Sequence, residues 1–171
     1  MRFRFLMTAL LPLAFTACLE GSDPITYPYT PIEQTTFAAS LNVNLAASTK
    51  TASGLYYRDL SVGTGPTAAS PSGGVYTALV YYDAYFTNGT RFDFRASPSA
   101  PYDPTIGGPP RRPVPGFEEG IVGMKVGGIR QLIMPPTLAY GEQGVVDQIT
   151  QQYLIPPNTV LVFTVQLVGI Q

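Results

Sequence analysis

Residues 113–128 predict a short amphipathic helix that ends at a pair of glycines. Pro115 suits the first turn of a helix, because the N–H group that proline lacks would have no partner there. One apolar stripe follows at the spacing i, i+4 and i+7: Phe117, Ile121 and Met124. The pair Gly127-Gly128 is expected to end the helix. Strand-like segments precede and follow this helix, so the fold is constrained to a sheet that packs its apolar face on it.

The segment of residues 75–86 predicts a long strand, because apolar and aromatic side chains are frequent along it. One of its two faces carries no acid and is assigned to the core: Tyr76, Ala78, Val80, Tyr82, Ala84 and Phe86. The pair Asn88-Gly89 then predicts a hairpin turn, since both residues accept a positive φ. A return strand is expected to begin at Arg91.

Further segments complete the predicted sheet. Residues 55–62 and 129–134 have the composition of strands. Residues 160–168 predict the last strand, with one continuous apolar face: Leu161, Phe163, Val165 and Leu167. Between the strands, residues 95–112 are Pro-rich and loop-like. Residues 142–153 are polar and long for a connection, which predicts a flap.

The composition favours one turn-rich domain without a metal or a cofactor. The chain of 171 residues is 45% hydrophobic and contains 17 Gly and 17 Pro. We therefore expect an α+β domain over residues 54–171, in which a twisted antiparallel β-sheet, a half-barrel, wraps around one short α-helix. A chain with no His and one Cys lacks most transition-metal sites and every His-based triad. The net charge of −1 argues against nucleic acid as a partner.

The first residues have the pattern of an export signal. Two arginines precede an apolar run from Phe5 to Phe15, which is too short to span a bilayer. Cys18, the one cysteine, follows this run and resembles the lipidated cysteine of a bacterial lipobox, although Phe15 stands where Leu is usual. We expect a signal peptide over residues 1–17 and lipidation of Cys18. The alternative is a plain signal peptide with an incidental cysteine.

Lipidation of Cys18 would make residues 18–53 a tether between a membrane and the domain. Leu19 stands where an Asp would favour retention in the inner membrane, so the expected location is the bacterial cell envelope, at the outer membrane and facing the periplasm. Glu20 to Gln34 is polar and broken by prolines, which predicts a flexible arm. Phe37 to Leu45 leaves two alternatives open: a strand that docks on the domain, or a segment that does not dock.

Five motifs of the predicted domain occur in the order and spacing of a known family: Asn88–Asp93, Val114–Gly120, Met124–Gly128, Pro135–Gly141 and Ile155–Phe163. The chain from about residue 54 to its end resembles the FK506-binding-protein (FKBP-type) peptidyl-prolyl cis-trans isomerases. The resemblance implies the FKBP-like half-barrel and isomerisation of X–Pro bonds in proline-containing polypeptides. It also implies FK506-like macrolides as ligands.

The same resemblance assigns the residues of an aromatic pocket: Tyr82, Phe92, Asp93, Val114, Phe117, Tyr140 and Phe163. It assigns three more to substrate binding: Tyr102, Leu154 and Ile155. It implies that the backbone N–H of Val114, or alternatively that of Ile155, and the hydroxyl of Tyr140 meet substrate carbonyls. Our hypothesis for Asp93 is that its carboxylate orients a neighbouring ring or hydroxyl. The flap is longer than in the smallest members and Arg112 replaces an acid, so the rim departs from the family pattern more than the floor does.

The implied reaction requires neither a nucleophile nor proton transfer. Rotation about an X–Pro bond is slow because the planar imide must lose its resonance, against a barrier of about 18–20 kcal/mol. An apolar aromatic pocket disfavours the more polar planar form, which fits a chain without His. We therefore expect an isomerase that acts on exported proteins. Two alternatives remain: a catalytically weak FKBP-like chaperone or binding module of the envelope, and a structural envelope lipoprotein without a client.

Overall fold

The computed structural model describes residues 25–68, 76–96, 101–102, 105–106 and 114–171. Its helix and strands, in chain order, are β1 (Thr49–Lys50), β2 (Tyr56–Ser61), β3 (Tyr76–Phe86), β4 (Arg91–Arg95), β5 (Thr105–Ile106), α1 (Pro115–Ile121), β6 (Ile129–Met134), β7 (Val145–Val146), β8 (Tyr153–Ile155) and β9 (Leu161–Ile170). The predicted signal peptide, Cys18 and Arg112 lie outside the described residues. Within the described ranges, no helix is long and apolar enough to cross a membrane.

One antiparallel sheet forms the body of the domain. Its strand order is β1-β2-β6-β9-β3-β4, and β5 pairs with β3. The hairpin of β3 and β4 turns at the predicted Asn-Gly pair, where Gly89 has a φ of 88°. Strands β7 and β8 form a separate two-stranded sheet, so the flap includes β8 and extends from residue 142 to Ile155. The predicted fold of one antiparallel sheet and one short helix is confirmed.

The alternation of β3 and β9 builds the core that faces α1. Val80 on β3 and Val165 on β9 are fully buried. On the helix, Ile121 is fully buried and Phe117 is 2% exposed. Gly120 allows the helix to approach the sheet closely, since a Cβ at this position would lie 2.5 Å from Cδ1 of Leu132. The core faces predicted from the alternation are therefore confirmed at these strands.

The helix ends earlier than predicted. Its last residue is Ile121, and Gly123 then takes a φ of 80°, which turns the chain before Gly127-Gly128 is reached. Nη1 of Arg130 donates hydrogen bonds to the backbone oxygens of Gly120 at 2.9 Å and Val122 at 3.0 Å. A buried cation thus satisfies carbonyl groups at the carboxyl end of the helix. The prediction that the pair Gly127-Gly128 ends the helix is wrong for this reason.

The N-terminal segment, residues 25–48, packs against the outer face of the sheet. It contains three short 3-10 turns: Ile32–Gln34, Ala39–Leu41 and Leu45–Ala47. Ile32 is 2% exposed and packs in a second apolar cluster with Ile133 of β6 and Val162 of β9. Nε2 of Gln131 donates to the backbone oxygen of Leu41 at 2.7 Å.

A polar contact holds the same segment at β1 and β2. Oε1 of Glu33 accepts hydrogen bonds from Nζ of Lys50 at 2.6 Å and from Oη of Tyr56 at 2.5 Å. The flexible arm predicted from Glu20 to Gln34 is therefore wrong at Ile32 and Glu33, because Ile32 is buried and Glu33 is held by this contact. For Phe37 to Leu45 the segment docks, but as 3-10 turns rather than as the alternative strand.

Candidate active site

Five aromatic rings converge on the inner face of the sheet: Tyr82, Phe92, Tyr102, Phe117 and Phe163. The ring centroid of Phe117 lies 5.7 Å from those of Tyr82 and Phe163, and both contacts are edge-to-face. Such arrangements match the negative face of one ring to the positive edge of another. The structure thus brings together five of the six aromatic residues that the resemblance assigns to the site, all except Tyr140.

Each ring is placed by the element that carries it. Tyr82 and Ala84 share the inner face of β3, and Ala84 pairs with Phe163 of β9, so a small residue leaves room for the larger ring. Phe117 is near the start of α1, where Pro115 sets the direction of the first turn. Tyr102 is attached to β3 by two backbone hydrogen bonds with Val80, of 2.9 Å and 3.0 Å.

Asp93 is the acid at the edge of this cluster. Its Oδ2 accepts a hydrogen bond from Oη of Tyr82 at 2.7 Å, and its Oδ1 accepts one from the backbone N–H of Phe94 at 2.8 Å. Burial raises the pKa of Tyr82 well above its usual range, and the hydrogen bond to Asp93 raises it further. The Tyr82 hydroxyl therefore stays protonated and donates to the carboxylate.

The remaining predicted residues lie around this floor. Val114 is partly buried and takes an extended conformation as the residue before α1. Tyr140 is 38% exposed, and its pKa is raised by burial and then by the negative charge of Asp93. The Tyr140 hydroxyl is therefore a neutral donor at neutral pH.

The two apolar flap residues assigned to substrate binding, Leu154 and Ile155, differ in burial. Ile155 is 6% exposed and belongs to the core cluster, whereas Leu154 is 56% exposed. This difference follows from β8, because successive side chains of a strand point to opposite faces. The sequence places the two residues together as one apolar pair, but the structure gives them different surroundings.

The predicted site omits Phe86, whose ring contacts the ring of Phe92. Its ring centroid lies 4.7 Å from that of Phe92, across the hairpin of β3 and β4. The signal for it is available in the sequence, since Phe86 lies on the same alternating face as Tyr82. In the part of the chain that the structure describes, no group of three or more His, Cys, Asp or Glu residues is placed to hold a metal ion.

Comparison with known proteins decides the family. The model of the FKBP-type peptidyl-prolyl cis-trans isomerase family matches residues 70–168. The chain belongs to this family. Among solved structures, this FKBP-type chain is similar to AtFKBP13, with a TM-score of 0.61 and 31% identity over 71% of this chain and 97% of the other. It is also similar to FkpA from Escherichia coli, with a TM-score of 0.58 and 30% identity over 73% of this chain and 52% of the other.

Curated FKBP-type relatives come from eukaryotes and bacteria. The chain is 41% identical over 117 residues to FK506-binding protein 4 of Dictyostelium discoideum, which covers 68% of this chain and 28% of the relative. It is 34% identical to an FK506-binding protein of Neisseria meningitidis, over 68% of this chain and 96% of the relative. The chain spans less than two thirds of the length of the first curated relatives that it matches.

Proposed function

We propose that this chain accelerates cis/trans isomerisation of X–Pro bonds in polypeptides, with the prolyl ring bound over Phe117. The observation that supports this most is the cluster of five aromatic rings, one of which, Tyr82, donates its hydroxyl to the carboxylate of Asp93. Such a pocket supplies an apolar surface and fixed dipoles but no nucleophile. This is what a reaction without covalent chemistry requires.

The pocket favours the twisted imide over the planar one. Resonance separates charge between N and O in the planar form, and this charge is lost on twisting. An apolar environment therefore raises the free energy of the planar form more than that of the twisted form. Each 1.36 kcal/mol of this preference corresponds to about a tenfold gain in rate.

Polar groups at the rim would hold the substrate in the twisted geometry. The Tyr140 hydroxyl and the backbone N–H of Val114 or Ile155 would each donate to a substrate carbonyl. Asp93 would hold the Tyr82 hydroxyl and place a negative charge beside the pocket, without acting as a base. FK506-like macrolides would compete for the same apolar floor.

A direct assay of isomerisation tests this function. Residues 18–171 are mixed with a Leu-Pro or a Phe-Pro peptide, and the relaxation from cis to trans is followed with and without FK506. We expect acceleration that FK506 suppresses. A folded sample that does not accelerate the reaction would refute the proposed activity.

A second candidate function, that of a catalytically weak binding module, is supported by the apolar surface of the flap. Ile149 is 93% exposed and Leu154 is 56% exposed, and Tyr153 is exposed as well. Exposed apolar side chains on one flap suit the capture of unfolded clients. Suppression of aggregation by a Phe92→Ala variant that lacks isomerase activity would support this function.

We further propose that exported proteins are the clients and that Cys18 carries a lipid anchor at the outer membrane, facing the periplasm. The sequence of residues 1–18 supports this proposal. Because Tyr27 is held by Asn158 and Tyr153, the stretch of chain from Cys18 to Tyr27 could extend at most about 30 Å. Fatty-acid labelling of the wild type and of Cys18→Ser tests the anchor, and equal labelling of the two would refute it.

A further inference from the structure

The first described residues of the chain reach the flap beside the candidate pocket. The ring of Tyr27 packs edge-on against the ring of Tyr153, with centroids 5.4 Å apart. The backbone oxygen of Tyr27 accepts a hydrogen bond from Nδ2 of Asn158 at 2.7 Å. Tyr153 is the first residue of β8 and Asn158 follows the end of β8, so Tyr27 contacts both the start of this strand and the turn after it.

Asn158 connects three parts of the molecule. Its side chain donates to Tyr27, and its backbone N–H donates to the oxygen of Gly141 at 2.9 Å. Gly141 directly follows Tyr140, the proposed donor to the substrate. Asn158 has a φ of 56°, a left-handed conformation that Asn adopts more readily than most residues. One residue therefore links the N-terminal segment, the end of the flap and the turn of Tyr140.

These contacts are not what attaches the N-terminal segment to the sheet. Ile32 is 2% exposed within the outer apolar cluster, and Glu33 is bound by Tyr56 and Lys50. The segment therefore remains anchored when the contacts of Tyr27 are removed. What changes is the restraint on the flap.

We propose that Tyr27 and Asn158 are positioning residues that set the substrate preference of the pocket by fixing the flap. This inference rests on the proposed isomerase activity. Leu154 is exposed and lies between Tyr153 and the buried Ile155. The position of Tyr153 would therefore set where the Leu154 side chain meets the residue before proline of a bound substrate. The ring cluster around Phe117 is not contacted by Tyr27 and keeps its geometry.

Matched substitutions test the proposal. Tyr27→Ala removes the ring contact, and Tyr29→Ala is its control, since Tyr29 is 46% exposed and lies two residues further along the same segment. Asn158→Gly removes the donor and keeps the left-handed backbone free of strain. Asn158→Asp keeps the shape of the side chain but turns a carboxylate toward the Tyr27 oxygen.

The main readout is the ratio of kcat/KM for a Phe-Pro peptide to that for an Ala-Pro peptide. We expect Tyr27→Ala and both Asn158 variants to change this ratio by about threefold to tenfold, the effect of losing one hydrogen bond or ring contact. Tyr29→Ala should stay within about twofold of the wild type. An unchanged ratio in folded Tyr27 and Asn158 variants would overturn the inference.

A second readout does not depend on activity. The backbone amide of Asp147, which donates to the oxygen of Gln152 at 2.9 Å beside the paired residues Val146 and Tyr153, should exchange with solvent about tenfold faster in Tyr27→Ala, while the amides of β9 stay unchanged. A wild type that does not isomerise either peptide would refute the proposed function. In that case, unchanged exchange in Tyr27→Ala would overturn the positioning role as well.

Discussion

The hydroxyl of Tyr82 donates a hydrogen bond to the carboxylate of Asp93 over 2.7 Å, across the hairpin of β3 and β4. The bond joins a ring that contacts three other rings of the pocket to the acid at its edge. Asp93 is itself held by the backbone N–H of Phe94. Two donors thus fix the carboxylate, so its negative charge has a defined position beside the pocket. This agrees with the hypothesis that Asp93 orients a neighbouring hydroxyl.

Removing the Tyr82 hydroxyl should lower activity without unfolding the domain. Tyr82→Phe keeps the ring contacts but loses a hydrogen bond to a charged group, which contributes about 1.5–3 kcal/mol. We expect kcat/KM to fall by about tenfold or more. Tyr81→Phe, one residue earlier on the opposite face of β3, is the control. Equal kcat/KM for the two variants would contradict the role of the Tyr82–Asp93 bond.

Substitution of Asp93 by Asn separates its charge from its shape. The amide can still accept a hydrogen bond from Tyr82, but the negative charge beside the pocket is lost. We expect a partial loss of kcat/KM, smaller than that of Phe92→Ala, measured with the same peptide. Full activity of Asp93→Asn would show that the charge has no part in catalysis.

Activity and stability should be insensitive to pH between about 6 and 9. The pKa values of Tyr82 and Tyr140 are both raised, so both hydroxyls stay protonated through this range, and the chain has no His to titrate. Because the folded pKa values exceed the unfolded value of about 10, the stabilisation is complete below pH 10 and is lost as the pH rises above it. A profile of kcat/KM with an inflection near pH 7 would contradict this account.

Truncation of Ile32 should destabilise the domain far more than truncation of Ile25. Ile32 is 2% exposed in the outer cluster, and Ile25 is 79% exposed. Ile32→Ala should therefore lower the free energy of unfolding by about 2–4 kcal/mol, while Ile25→Ala should change it by less than about 0.5 kcal/mol. Urea denaturation of the two variants measures both. Similar values would show that the N-terminal segment does not pack on the sheet in solution.

The hydrogen bonds of Glu33 should make the free energy of unfolding depend on pH under acidic conditions. Hydrogen bonds from Lys50 and then Tyr56 lower the pKa of the Glu33 carboxyl to about 2. Its contribution to stability is present above the ordinary glutamate pKa of about 4.5 and is lost as the pH falls from there toward 2. We expect Glu33→Gln to lose less stability than the wild type between pH 5 and pH 2.5, measured by urea denaturation. Parallel losses would mean that Glu33 is not bound in this way.

Much of the fold could be predicted because the strands that form the core alternate regularly. Val80 and Val165 are assigned to the core from period-2 patterns in segments that are long enough to be unambiguous, and both are fully buried. Asp93 could also be singled out, since an acid between two phenylalanines is poorly explained by packing. Its partner Tyr82 lies on a neighbouring strand, which the Asn-Gly turn brings alongside.

The rest depends on contacts that local sequence does not encode. Ile32 lies in a Pro-broken segment without a period, and it is buried only because β6 and β9 present an apolar outer face. The sequence offers two places where glycine could end α1, at Gly123 and at Gly127-Gly128. The helix ends at the earlier place, where Arg130 binds backbone carbonyl groups, and these contacts exist only in the folded chain. The link between Tyr27 and Asn158 likewise joins distant parts of the sequence.

The most direct test of the central claim compares two phenylalanines on either side of Asp93. Phe92 contacts Phe86 and Phe163 inside the pocket, whereas Phe94 is 49% exposed and packs under the guanidinium of Arg91. The measurement is kcat/KM for a Leu-Pro peptide with Phe92→Ala and with Phe94→Ala. We expect a loss of about a hundredfold for the first and less than about threefold for the second. Equal effects of the two substitutions in folded protein would contradict catalysis by this aromatic pocket.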